Sequence, residues 1–257
     1  MKIRVSELTR KYGDFLAVDR ISFEVNRGEI LGYLGPNGAG KSTTVKMLTG
    51  ILAPTSGQIL IDGLELAENS LAIKQRIGFV PESGGLYESL TGWEFLQLVG
   101  RLYHLHEETI QHKAQEFFRL FSLEEAMHQR LSSYSKGMKQ KVLISSALIH
   151  NPDLIFFDEP LSGLDANAML IFKELLRRLA EQGKTIFYCS HVLDVVERLC
   201  QRVIIIDHGK IIADAQVEHL KNITAQKSLE DVFQKLTDAS GVSEIARAFS
   251  EVVARGQ

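Results

Sequence analysis

The chain has 257 residues, of which 45% are hydrophobic and 24% charged, with a formal net charge of −3. These are ordinary globular values, enough to bury a full core as one large domain or two lobes. The charge balance gives no electrostatic footing for nucleic acid, whose binders carry a basic patch, and no apolar run approaches the roughly 18 residues of a membrane span. The opening Met1-Lys2-Ile3-Arg4-Val5 alternates like a strand rather than a signal peptide, so a cytoplasmic location is the expectation. Cys189 and Cys200 are too few for a disulfide scaffold and read as small buried hydrophobes.

In chain order, residues 1–85 read as short strands with turns. Strands are expected at 3–8 and 21–25 around a turn at Tyr12-Gly13-Asp14, then at 30–34, at 58–61 behind a Ser56-Gly57 turn, and at 77–80. From 88 to 150 the texture is helical, with Ile110, Ala114, Phe117, Phe118 and Phe121 forming one stripe that reads as packing. Beyond 150 the pattern alternates: strand 154–157, helix 166–182 stopped by Gly183, strand 185–190, helix 192–200, strand 203–206 and a hairpin-like turn at Asp207-His208-Gly209-Lys210. Such alternation implies a largely parallel sheet with helices on both faces, joined by antiparallel strands from the first 85 residues. Residues 216–257 read as helical, with Ile245, Phe249, Val252 and Val253 on one face of the last helix. The expected organisation is an α/β core from 1–87 and 151–220, a helical subdomain at 88–150 and a helical extension at 221–257.

The chemistry is concentrated in a few segments. Gly35-Pro36-Asn37-Gly38-Ala39-Gly40-Lys41-Ser42-Thr43 has G-x-x-x-x-G-K-S spacing between the apolar run Ile30-Leu31-Gly32-Tyr33-Leu34 and a helix-compatible stretch. Glycines let successive backbone N–H groups face a polyphosphate, and the following helix presents its positive end to the same anion. Lys41 adds a mobile charge for the terminal phosphates, and Ser42 offers a hydroxyl to Mg²⁺. The segment therefore predicts binding of a nucleoside triphosphate. Asp158-Glu159 ends an apolar strand, where ligands gather in parallel sheets. Asp158 is placed to hold Mg²⁺ directly or through water, and Glu159 to orient or deprotonate an attacking water. His191 closes the adjacent strand, within reach of a terminal phosphate.

Tyr134-Ser135-Lys136-Gly137-Met138 resembles the LSGGQ signature of ABC ATPases, matching at Ser135 and Gly137. Taken in order with the glycine loop, Asp158-Glu159-Pro160, Ser162-Gly163-Leu164-Asp165 and His191, the resemblance covers about residues 1–220. It implies the ABC ATPase fold, a P-loop NTPase (RecA-like) α/β core with an N-terminal antiparallel β subdomain and a helical insert. It also implies ATP and Mg²⁺ as cofactors, and hydrolysis assisted by Lys41, Glu159 and His191. Tyr12 then matches the aromatic residue that stacks on adenine. Glu82 falls where most family members carry a glutamine near Mg²⁺, and it joins Ser42 and Asp158 as a metal candidate. Ser135 and Gly137 match the residues that cap ATP held by a second subunit, and residues 162–165 match a loop that crosses the dimer interface. Lys136 replaces a glycine, either attracting phosphate or facing solvent; Met138 replaces a glutamine.

Residues 86–96 resemble the start of the insert in type-2 exporters, where a nearby apolar groove receives a short helix of the membrane protein. Tyr87, Trp93 and Phe95 either line that groove or belong to the core. Ser228-Leu229-Glu230-Asp231-Val232-Phe233 resembles the common ending of these subunits. The implied partners are a second ATPase subunit, expected to be a homodimer mate, and integral membrane permease subunits at the cytoplasmic face. No nucleic acid is expected. The rival reading is a soluble ABC-type ATPase acting on ribosomes or DNA, which usually carries two cassettes, long coiled coils or basic extensions.

Overall fold

The first two strands, β1 (Ile3–Tyr12) and β2 (Phe15–Val25), pair antiparallel across the turn at Gly13. The computed structural model describes residues 1–237, so the stripe at Ile245, Phe249, Val252 and Val253 lies outside the described residues. Both strands run longer than the sequence pattern suggests. The cause is bulging: the register shifts between Val5 and Leu8 and again before Arg10, and Glu7 and Arg20 take left-handed backbone. A bulge breaks the period-two alternation by which a strand is recognised. Ser56-Gly57, expected as a turn, lies inside β4 (Ser56–Ile61) opposite this bulge. Only glycine fits there, since a Cβ on Gly57 would sit 2.3 Å from the Glu7 carbonyl oxygen. With β5 (Leu64–Glu65) these strands make a four-stranded sheet ordered β2-β1-β4-β5.

The second sheet carries β3 (Ile30–Leu34), β6 (Ile77–Val80), β7 (Leu154–Asp158), β8 (Thr185–Cys189), β9 (Arg202–Asp207) and β10 (Lys210–Gln216). Its order is β10-β9-β3-β8-β7-β6, with β10 antiparallel and every other pair parallel. Every residue of β3, β7 and β8 is buried, as expected of strands covered on both faces. The turn at His208-Gly209 leads into β10, a strand beyond those expected from the sequence; its residues alternate between exposed and half-buried, as an edge strand's do.

Helices α1 (Lys41–Leu48) and α2 (Ser70–Lys74) follow β3 and β5. The insert contains α3 (Gly92–Leu102), α4 (Glu107–Leu120) and α5 (Lys136–Leu148). A reciprocal cap starts α3: Thr91 Oγ1 accepts from Glu94 N at 3.1 Å, and Glu94 accepts from Thr91 N at 2.8 Å. Ile110, Ala114, Phe118 and Phe121 are buried as the stripe predicts, whereas Phe117 is only partly covered. Helix α5 is buried on several sides, including Gln140, Ser145 and Ser146. One apolar cluster therefore runs continuously from the sheet through α5 into the insert.

The chain closes with α6 (Ala166–Glu181), α7 (Leu193–Leu199), α8 (Val217–Thr224) and α9 (Leu229–Leu236). Cys189 and Cys200 are free and buried, and burial pushes both thiols up, which keeps them unreactive. Among the described residues no helix is long and apolar enough to cross a membrane.

Candidate functional site

Residues 35–40 link buried β3 to α1. The N-terminus of α1 has no side-chain cap, so its first N–H groups are left to whatever the loop encloses. Lys41 arches back across the loop, its Nζ donating to the carbonyls of Gly35 at 2.7 Å and Pro36 at 3.0 Å. A cleft of about 430 Å³ opens above this loop. Tyr12, Asn37, Gly38, Gly40, Lys41, Ser42, Thr43, Glu82, Asp158, Glu159 and His191 all line it. Gly35 and Pro36 face a neighbouring recess instead, and Ala39 is buried in the core.

Asp158 ends β7 with 4% exposure, and its Oδ1 is buried with no hydrogen-bond partner among the described residues. Burial pushes its carboxyl up, with Glu82 and Glu159 adding repulsion against hydrogen bonds from Cys189 and Ser42. An orphaned buried oxygen among three carboxylates fits a divalent cation, which would supply the missing partner and the opposite charge. Among the described residues no group of three or more His, Cys, Asp or Glu forms a self-sufficient metal site. That suits an ion held mainly by Ser42, Asp158 and phosphate oxygens, as hard cations bound with nucleotides are.

Glu159 adopts left-handed backbone (φ 49°), a conformation costing about 1–3 kcal/mol for a side chain of this kind. The turn aims its carboxylate at the end of β8. Oε1 accepts from His191 N at 2.8 Å and meets His191 Nδ1 at 2.7 Å, while Oε2 accepts from Ser190 Oγ at 3.0 Å. The tautomer with the proton on Nδ1 lets His191 donate to Glu159 and leaves Nε2 outside this bond.

Tyr12 is half-exposed, with the Arg10 guanidinium 4.7 Å over its ring. Phe15 and Ala17 also line the cleft and escaped the sequence reading. Phe15 pairs with Tyr12 across the hairpin and is 64% exposed; the only signal was a second aromatic just past the turn. Ser190, which lines the neighbouring recess and donates to Glu159, was signalled only by its place beside His191.

Ser135 and Gly137 do not line this cleft. Ser135 is exposed and caps α5, its Oγ accepting from Met138 N at 3.2 Å. Gly137 lies so close to the loop after β7 that a Cβ would fall 2.4 Å from the Gly163 carbonyl oxygen. Asp165 in that loop caps α6, accepting from Ala168 N at 2.8 Å. Lys136 is exposed, and its stem lies over Gly163. Gln140, also missed, donates from α5 to Pro160 O at 3.0 Å and so ties the exposed segment to the turn after Glu159.

A second groove of about 550 Å³ runs beside α3, lined by Ile51, Phe79, Phe95, Val99, Leu102 and Tyr103 among others. Ile51 and Leu102 are exposed there. Phe95 is buried and also lines the groove, Trp93 is half-buried against the core, and Tyr87 is exposed.

A glycine loop between β3 and α1, facing paired carboxylates on a parallel strand, defines a P-loop nucleotide-binding protein. The family described as "ABC transporter" matches residues 18–162, and the chain belongs to that family. It is 38% identical over 237 residues to the ABC transporter ATP-binding protein NatA of Bacillus subtilis, covering 90% of this chain and 96% of that protein. The fold agrees with a solved ATP-binding subunit of an ABC transporter at a TM-score of 0.86 and 32% identity, covering 92% of this chain and 99% of the other. A dimeric ATP-binding cassette in a post-hydrolysis state, bound to ADP and Pi, matches at a TM-score of 0.77 and 26% identity over 83% of this chain and 98% of that one. The chain is an ATP-binding, ATP-hydrolysing cassette.

Proposed function

We propose that the chain is the ATPase of an exporter, working as a homodimer docked on integral membrane permease subunits. The observation that supports it best is the Glu159 carboxylate, fixed by His191 and Ser190 at the edge of the cleft above the phosphate loop. In this reading Tyr12, with Phe15, stacks on adenine, and residues 35–43 hold the phosphates through backbone N–H groups and Lys41. Ser42 and Asp158 hold Mg²⁺, with Glu82 beside them; the ion, when bound, neutralises charge building on the phosphate oxygens. Glu159 orients the attacking water and takes its proton, and His191 Nε2 faces the terminal phosphate. The exposed Ser135 and the N–H groups at the start of α5 cap the nucleotide of the second subunit.

The core at 1–87 and 151–220, the insert at 88–150 and the extension at 221–257 act as three working parts. The groove beside α3 receives a short apolar helix of the permease, which keeps the protein peripheral on the cytoplasmic face. Export is favoured by the resemblance of residues 86–96 and 228–233 to type-2 exporter ATPases.

A Mg²⁺ titration of ATPase activity tests the cleft. Asp158→Asn is expected to raise the Mg²⁺ requirement about 10–100-fold, and an unchanged requirement would remove Asp158 from the metal site. Leu102→Asp is expected to release the protein from membranes with ATPase activity intact, and undiminished membrane association would remove the groove from docking.

A further inference from the structure

Ser228-Leu229-Glu230-Asp231-Val232-Phe233 has no part in the nucleotide cleft, yet it is fixed firmly in the fold. Ser228 caps α9, accepting from Asp231 N at 3.2 Å and donating to the Asp231 carboxylate at 2.8 Å. Leu229 and Val232 are fully buried. Glu197, near the end of α7, receives Leu229 N–H on Oε2 at 2.8 Å and the Lys221 ammonium of α8 on Oε1 at 3.0 Å. These bonds, the backbone one foremost, hold the Glu197 carboxyl below the usual carboxylate range.

From this anchor α9 runs back along α7 toward His191. Phe233 and Leu193, the first residue of α7, pack on the same apolar cluster and line a recess of about 260 Å³ together with Ser190, His191, Pro36 and Asn37. The start of α7 is also wired to Glu159. Val192 N donates to Ser190 Oγ at 3.1 Å, and that hydroxyl donates to Glu159 at 3.0 Å. A shift of the first turn of α7 therefore moves the donors that aim the Glu159 carboxylate.

We propose that Phe233 is a positioning residue for ATP hydrolysis, packing with Leu193 on one apolar cluster at the start of α7 and so holding Ser190 and His191 on Glu159. The role rests on the reading of Glu159 and His191 as the hydrolytic pair. Phe233 does not line the nucleotide cleft, so its loss acts on turnover rather than on ATP affinity.

The test is steady-state ATPase kinetics on the full chain with Phe233→Ala, Phe233→Leu, His191→Ala and the Phe233→Ala/His191→Ala double variant. Phe233→Ala is expected to lower kcat about tenfold with KM within about twofold, and Phe233→Leu to recover most of the loss. In the His191→Ala background Phe233→Ala is expected to cost less than about twofold more, because the group it positions is gone. Equal fold-losses in both backgrounds, a raised KM at unchanged kcat, or no recovery with leucine would overturn the proposal. Wild-type turnover by His191→Ala would overturn the hydrolytic pair itself and the positioning role with it. A costly His191→Ala with an additive Phe233→Ala removes the positioning role alone.

Discussion

The nucleotide cleft and the Ser135–Gly137 face are built on opposite principles. The cleft is inward: Asp158 is 4% exposed and Glu159 9% exposed, and their oxygens converge with Lys41 and Ser42 on one space. The other face is outward: Ser135 is exposed, its hydroxyl is turned onto its own helix, and neither it nor Gly137 borders the cleft. Buried charged and strained groups cost stability, so a chain keeps them where they act on something in its own interior. An exposed helix start that borders no cleft among the described residues is suited to something outside them. The contrast supports the proposal that this chain's phosphate cradle and its Ser135–Gly137 lid belong to different sites.

The largest effect is expected inside the cleft. Glu159→Gln keeps the shape but removes the base, and should slow turnover by on the order of 10²–10⁴ while ATP binding persists. Single-turnover hydrolysis at a near-normal rate would break the inward half of the comparison. The next effect is on the outward face. Gly137→Ala places a methyl 2.4 Å from the Gly163 carbonyl oxygen, forcing residues 162–165 to move. Turnover should fall by up to about a hundredfold through misplacement, while ATP affinity measured on the separated subunit stays unchanged. A matching loss of affinity would mean that this face serves the chain's own cleft.

The smallest effect concerns how α5 is held at its buried end. His150 stacks on Tyr103 with centroids 3.5 Å apart, and its Nε2 lies 3.0 Å from Ile77 O. Burial pushes its imidazole down to about 4. An unfolded histidine titrates near about 6.5, so between those values the unfolded chain binds more protons than the folded one. Stability should therefore be complete above about pH 6.5 and decline toward pH 4, by about 1–3 kcal/mol after allowance for partial solvent screening. His150→Gln should flatten this part of the slope, read from urea midpoints at pH 7 and pH 5. An equal slope in the variant would mean that other groups carry it.

The two regions were also unequally legible in the sequence. Residues 35–43 are contiguous, and their spacing alone dictates a loop, a charge and a helix start. Asp158-Glu159 was legible through the apolar strand that precedes it. The left-handed turn at Glu159 was not, because it arises from the path after β7, nor was the bond from Ser190, which joins two strands. Phe15 was hidden because the bulged register of β1 and β2 left their true lengths unreadable. In α5, one face reads as insert and the other as core, and periodicity cannot say that a helix serves both. Gln140 belongs to that overlap, since its bond to Pro160 joins residues 20 apart.

The central claim is that each ATP is held by the cradle of one copy and the lid of another. The direct measurement is ATPase activity of a mixture of Ser135→Arg chains and Lys41→Ala chains, each inactive alone. In a mixed dimer one site joins an intact cradle to an intact lid, so activity should return to a fraction of the wild-type level, rising as the two proteins approach equal proportions. A mixture that dimerises yet stays as inactive as its components at every ratio would contradict the account.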